Sequence, residues 1–236
     1  MLRRESIELP LSSDEYWQSF QSASVLQYGH FRFASGNHAD EKIDFEKVKD
    51  FPDIADIAMR GLGTLIARDA QMNSYRLDAI VSVAQGANHF VDGTAQHASQ
   101  LLGEEIVAIK TDTVGEKPHR RFCWPDESPP QLLTPTASVA VLEDVFNKFT
   151  NSMAVARLIE KTGAHIVGLY AAVARGASLS TPNGTPAKFL VRHQIADWSP
   201  ESCYLCPDTP IESEWEYAEY LAHRADRNPA NSNQIS

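Results

Sequence analysis

Between residues 78 and 173, four short apolar runs alternate with stretches of helical periodicity, and no other feature constrains the fold as strongly. The runs are Asp78-Ala-Ile-Val-Ser-Val83, Ile106-Val-Ala-Ile109, Ser138-Val-Ala-Val-Leu142 and Ile166-Val-Gly-Leu-Tyr-Ala-Ala-Val173. Continuous apolarity of this kind marks strands buried on both faces, as in a parallel sheet. Gly86 breaks the first run, one helix-like stretch ends at Leu102-Gly103, and another covers Met153 to Lys161 before Gly163. Strands joined by helices of that length make right-handed crossovers, so the chain is expected to be α/β, an open parallel sheet flanked by helices. Upstream, Ser12 and Glu15 form a capping box that opens a helix anchored by Tyr16, Trp17, Phe20 and Leu26. Gly29 to Gly36 reads as a short aromatic strand. Pro52 starts a second helix, with Ile54, Ile57, Ala58, Leu62, Leu65 and Ile66 at helical spacing.

A chain of 236 residues can bury one large core, and 43% hydrophobic with 22% charged residues is ordinary for a globular protein. The net charge of −10 argues against nucleic acid and membrane surfaces as partners, both of which need a basic face. It does not exclude a small phosphate, which a helix N-terminus and a few local cations can hold. No apolar run reaches the length of a membrane span, and the N-terminus meets charge before any apolar stretch, so a cytoplasmic protein without a signal peptide is expected. Thr111 to Ala137 lacks periodicity and carries prolines at 118, 125, 129, 130 and 135, which reads as a functional loop or a disordered insert.

Ligands of open α/β sheets bind at the carboxyl ends of the strands. After the third run stand Glu143 and Asp144, then Val145-Phe-Asn-Lys-Phe-Thr-Asn-Ser152. Two carboxylates before a helix N-terminus suit a ribose diol and a phosphate, the acids accepting from the hydroxyls and the helix amides taking the anion. Asp144 or Asn147 would equally serve to cap that helix. After the first run, Ala84-Gln-Gly-Ala87 forms a small-residue turn able to present amides to an anion. No Gly-x-Gly-x-x-Gly follows any strand, which removes the dinucleotide-binding oxidoreductases.

Taken in order, four stretches resemble the type I phosphoribosyltransferases, and within them orotate phosphoribosyltransferase. They are Tyr28-Gly-His-Phe-Arg-Phe-Ala-Ser-Gly-Asn-His38, Val81 to Ala87, Val141-Leu-Glu-Asp-Val145 and Ala174-Arg175. The ending Asp197 to Cys206 also resembles the tail of some longer bacterial and archaeal members. The resemblance implies transfer of a phosphoribosyl group from phosphoribosyl pyrophosphate to a pyrimidine base, with Mg2+ bound through the substrate and a homodimeric habit. It implies base contacts from Phe31, Phe33 and Arg175, and pyrophosphate contacts from Ala84, Gln85, Gly86 and Ala87. Glu143, Asp144, Asn147, Lys148, Thr150, Asn151 and Ser152 would hold ribose and phosphate. The catalytic cations would be Lys110, Lys117, Arg120 and Arg121, closing over the leaving pyrophosphate. The implied division is residues 1–50 as N-terminal helix and base-pocket hood, 51–175 as core with a lid loop at 111–137, 176–226 as C-terminal hood, and 227–236 as a disordered tail.

The phosphate loop departs from the family. Phe149 and Thr150 stand where glycines are expected, and a phenylalanine at positive φ would be strained. Two readings follow: an active transferase with an altered loop, or a catalytically silent relative that binds a nucleotide or a protein partner. Cys203-x-x-Cys206 has zinc-ligand spacing, but with Cys123 and scattered histidines such as His193 as its only evident complements it reads as structural or inert, with no metal expected. His30, His38 and His89 read as polar wall residues.

Overall fold

The computed structural model describes residues 6–33, 35–115, 120–176 and 181–227. In chain order its elements are α1 (Ser13–Ser22), β1 (Leu26–Arg32), β2 (His38–Ile43), α2 (Pro52–Asn73), β3 (Ala79–Ser82), α3 (Val91–Leu102), β4 (Val107–Lys110), β5 (Asp112–Val114), β6 (Arg121–Cys123), β7 (Ser138–Phe146), α4 (Thr150–Glu160), β8 (His165–Ala174), β9 (Ala187–Arg192), β10 (Ser213–Trp215) and α5 (Tyr217–Arg227). They form two compact units: Met1–Ala23 with Phe45–His193, and Ser24–Asp44 with Gln194–Ser236.

The larger unit is built on a five-stranded sheet in the order β4-β3-β7-β8-β9, with every neighbouring pair parallel. Ile80, Val81, Val139 to Leu142 and Leu169 to Ala174 are buried, which is what the apolar runs require. Helix α2 turns Ala58, Leu62, Ile66 and Ala70 to the core, and α4 does so with Val155, Ala156 and Ile159. The capping box on α1 forms as expected, with the Glu15 carboxylate accepting from the Ser12 amide at 2.8 Å. Under the sheet, Asp69 of α2 is buried and accepts from Tyr170 of β8 and from Lys188 of β9.

Four expectations need correction. Helix α1 stops at Ser22 instead of running on to Leu26, because Ser24 takes a left-handed conformation (φ 54°) and turns the chain into β1. The strand read at Gly29 to Gly36 therefore starts earlier and ends at Arg32. The sheet has a fifth strand, β9, paired in register from Leu169↔Ala187 to Ala174↔Arg192. The segment 111–137 is not structureless where described. Strands β5 and β6 pair as an antiparallel ribbon, Thr113 opposite Phe122, and Trp124, Leu133 and Ala137 are buried in the core beside β7 and α4. Three-residue strands are too short to show alternation in a sequence.

The smaller unit is discontinuous. Its sheet, β10-β1-β2, is antiparallel, with Tyr28 opposite Trp215 and Leu26 opposite Ile43. Gly29 lies so close to the Ser213 carbonyl that a Cβ would collide with it. The unit boundaries differ from the sequence division: α1 and β9 belong with the large sheet, where the Ser13 hydroxyl donates to the Leu190 carbonyl at 2.9 Å and Trp17 stacks on His193 at 4.5 Å. Among the described residues no helix is long and apolar enough to cross a membrane.

Candidate active site at the carboxyl ends of the parallel strands

Strands β3 and β7 are neighbours, so the turn after β3 and the acidic pair of β7 come out side by side. The Ala84–Gln85 peptide in this turn is cis. Thr111, following β4, braces the turn: its hydroxyl donates to the Ser82 carbonyl at 2.7 Å and accepts from the Ala84 amide at 3.1 Å. The Ala87 amide donates to the Val83 carbonyl at 3.3 Å. With Ala84 and Ala87 engaged inside the turn, its capacity to meet an anion rests on Gln85, which is exposed, and Gly86. Gly86 is a glycine for a local reason: a Cβ there would collide with the Asp144 carboxylate.

The acidic pair does not follow the strand but lies inside it, because β7 continues to Phe146 in register with Ala174. Consecutive residues of a strand point to opposite faces, and the two acids separate accordingly. Asp144 is half-buried, lies against Gly86 and accepts from the Val145 amide at 2.9 Å. Glu143 is buried and reaches the start of α4, where the Ser152 hydroxyl donates to Oε2 and the Ser152 amide and Asn151 side chain also bond the carboxyl. Burial first, and then the Asp144 charge, push the Glu143 carboxyl up to about 8, against those donors. Through the neutral range Glu143 therefore holds a proton.

Helix α4 thus has an internal acceptor at the terminus where a phosphate was expected. Neither Asp144 nor Asn147 is its cap. The cap position belongs to Phe149, at φ 57° and ψ 13°, with its ring buried 4.8 Å from that of Phe146. Lys148 and Thr150 are exposed, while Asn147 and Asn151 are half-buried.

The remaining candidates are more scattered. Lys110 ends β4, exposed, and pairs with Asp92 of α3 at 2.6 Å. The Arg120 guanidinium lies 5.5 Å from the centre of the Phe122 ring, and Arg121 is exposed on β6. Lys117 lies outside the described residues. Arg175 follows β8 and its amide donates to the Phe146 carbonyl at 2.9 Å, which puts it beside the end of β7. Phe31 and Phe33 are in the smaller unit; Phe31 is buried with the Lys42 ammonium 5.5 Å from its ring centre, and Phe33 is half-buried. His89 is exposed in the 3-10 turn after Gly86. A cleft of about 670 Å3 is lined by Glu8, Arg60, Thr64, Gln71 and His97 among others, and none of its residues belongs to the strand-end turns. The cysteine pair gathers neither Cys123 nor His193, both in the larger unit, but His30 and His38.

The architecture, a parallel sheet flanked by helices, is that of the type I phosphoribosyltransferase fold. No family model matches the chain. Its sequence is distantly related to orotate phosphoribosyltransferases. That of Caldanaerobacter subterraneus is 24% identical over 198 residues, 84% of this chain and 94% of the relative. That of Caldicellulosiruptor saccharolyticus is 26% identical over 196 residues, 83% of this chain and 92% of the relative. Among solved structures, orotate phosphoribosyltransferase from Aeropyrum pernix superposes with a TM-score of 0.55 at 17% identity, covering 74% of this chain and 92% of that one. The Mycobacterium tuberculosis H37Rv enzyme, solved with inorganic phosphate, gives 0.53 at 16% identity over 76% and 95%.

Proposed function

We propose that the protein transfers phosphoribosyl from phosphoribosyl pyrophosphate to a ring nitrogen of a pyrimidine base, orotate, giving a nucleoside 5′-monophosphate and pyrophosphate. The observation that carries this reading is the contact of Gly86 with Asp144, which sets an amide-bearing turn against a charged acceptor at adjoining strand ends. In this reading Asp144 accepts from the ribose hydroxyls, and the Gln85 and Gly86 amides meet the pyrophosphate. Bond breaking at the anomeric carbon leaves positive charge on the ribose, which the Asp144 carboxylate offsets. Lys110, Arg120 and Arg121, with Lys117, are the cations for the departing pyrophosphate, and Arg175, beside the end of β7, is assigned to the base. Asp144 offers hard oxygen donors that fit Mg2+, which when bound neutralises pyrophosphate charge.

A second reading has its own observation. Phe149 fills the phosphate loop and Glu143 already caps α4, which favours a protein that keeps the fold and binds a nucleotide without turnover. Following orotidine 5′-phosphate by chromatography from orotate and Mg2+-phosphoribosyl pyrophosphate separates the two. Turnover that falls at least tenfold in Asp144→Asn supports the transferase. A folded parent without turnover, but with calorimetric binding of a nucleoside monophosphate, supports the silent reading.

A further inference from the structure

Within the smaller unit, two segments far apart in sequence bring four metal-ligating side chains to one point. His30 comes from β1, His38 from the first position of β2, and Cys203 and Cys206 from the segment before β10. One ligand atom from each lies within 4.8 Å of all the others. His30 Nε2 is 3.0 Å from His38 Nδ1, 3.5 Å from Cys203 Sγ and 3.9 Å from Cys206 Sγ, and His38 Nδ1 is 3.1 Å from Cys206 Sγ. Ordinary zinc bond lengths in a tetrahedron put nitrogen pairs about 3.3 Å apart and nitrogen–sulfur pairs about 3.6 Å apart. The four separations scatter around such a tetrahedron's edges, within about 0.5 Å of them.

Hydrogen bonding alone accounts for them poorly. The other nitrogen of His30, Nδ1, lies 2.8 Å from the Thr209 carbonyl oxygen and must carry the proton it donates there. In the neutral imidazole, the form that ligates a metal, that leaves Nε2 as a bare lone pair in a fully buried ring. One lone pair can accept one proton, yet an imidazole nitrogen and two sulfurs converge on it. A carbonyl behind a ligating imidazole is the outer partner that fixes tautomer and ring orientation at metal sites. The Cys203-x-x-Cys206 spacing belongs to the same chemistry, and two nitrogens with two sulfurs select zinc.

We infer that His30, His38, Cys203 and Cys206 form a closed structural zinc site. With four protein ligands it has no open position for a substrate, so its work is to tie β1 and β2 to the C-terminal segment. The inference stands apart from the transferase reading, since a silent protein would hold the same ion.

The test uses the full chain. Elemental analysis is expected to give about one zinc per chain, retained by Cys123→Ser and lost from Cys206→Ser, whose zinc affinity falls by more than the roughly 10- to 100-fold that loss of an outer partner costs. Because Cys206→Ser could unfold, the metal-stripped parent is also titrated with cobalt(II). Intense visible ligand-field bands and a sulfur-to-cobalt band, bleached by one equivalent of zinc, are expected. A folded parent that holds no zinc and gives no cobalt bands overturns the inference. So does zinc retained in full by Cys206→Ser, or iron found in its place.

Discussion

Phe149 and Glu143 decide what the start of α4 can hold, and each sets two effects in opposition. A phenylalanine in the left-handed region costs about 1–2 kcal/mol, while its buried ring contributes about 3–5 kcal/mol. Packing wins, so Phe149→Gly is expected to destabilise the protein by about 2–3 kcal/mol in urea denaturation. In the transferase reading, Phe149→Gly with Thr150→Gly should nonetheless raise orotidine 5′-phosphate formation about tenfold, because amides can then approach the phosphate; an unchanged rate would locate the limit elsewhere. Glu143 acts through pH. Its folded-state value, about 8, lies above that of an unfolded glutamate, so between pH 4.5 and 8 the folded state binds the extra proton. Stability should fall as pH rises through that window, by several kcal/mol at its upper end, and Glu143→Gln should flatten the decline. Parallel slopes for the two proteins in urea midpoints between pH 5 and 8 would contradict the burial argument.

Helix α2 packs through its glycines. A Cβ at Gly63 would stand 2.8 Å from the Thr94 carbonyl of α3, and backbone cannot yield there as a flexible side chain can. Alanine gains about 1 kcal/mol of helix propensity, but overpacking costs about 1–3 kcal/mol. Gly63→Ala should therefore lower the thermal midpoint in calorimetry, against the propensity trend; a raised midpoint would mean that α2 and α3 shift apart freely. Elements of this kind were legible where apolarity was continuous: β3, β4, β7, β8 and the buried face of α2. Strand β9 was hidden because only Leu190 and Val191 are fully buried in it, after a Ser/Thr/Pro-rich stretch. The end of β7 was misplaced because Glu143 and Asp144 interrupt the apolar run while the ladder continues beneath them. The capping role of Glu143 carried no local signal, since it reaches nine residues ahead to Ser152.

The two units of the whole molecule are held by different means. The larger has a continuous aliphatic and aromatic core across its parallel sheet. In the smaller, the buried apolar set is Val25, Leu26, Phe31, Ala39, Leu205 and Tyr220 with Cys203, and it shares the interior with His30, His38, Asp40 and Thr209. Further ties are aromatic and polar: the Tyr28 ring lies 4.5 Å from Tyr220 and Trp198 lies 5.0 Å from Tyr204, while Tyr204 donates to Asp40 at 2.7 Å and Tyr220 to Glu41 at 2.6 Å. A unit so poor in large aliphatics, assembled from segments some 150 residues apart, is the setting in which a metal staple contributes folding energy outright. The cysteine spacing was visible in the sequence; its histidine partners were not, because only the pairing of β1 with β2 and the return of the C-terminal segment bring them together. Removing zinc should therefore act on one unit and spare the other. Hydrogen exchange, read by mass spectrometry before and after stripping with a strong chelator, should show amides of β1, β2 and β10 losing protection by at least tenfold, while those of β3, β7 and β8 keep theirs. Equal loss in both units would mean that the ion supports the whole chain cooperatively. No loss in β1 and β2 would mean that the apolar, aromatic and polar contacts hold the smaller unit without the ion.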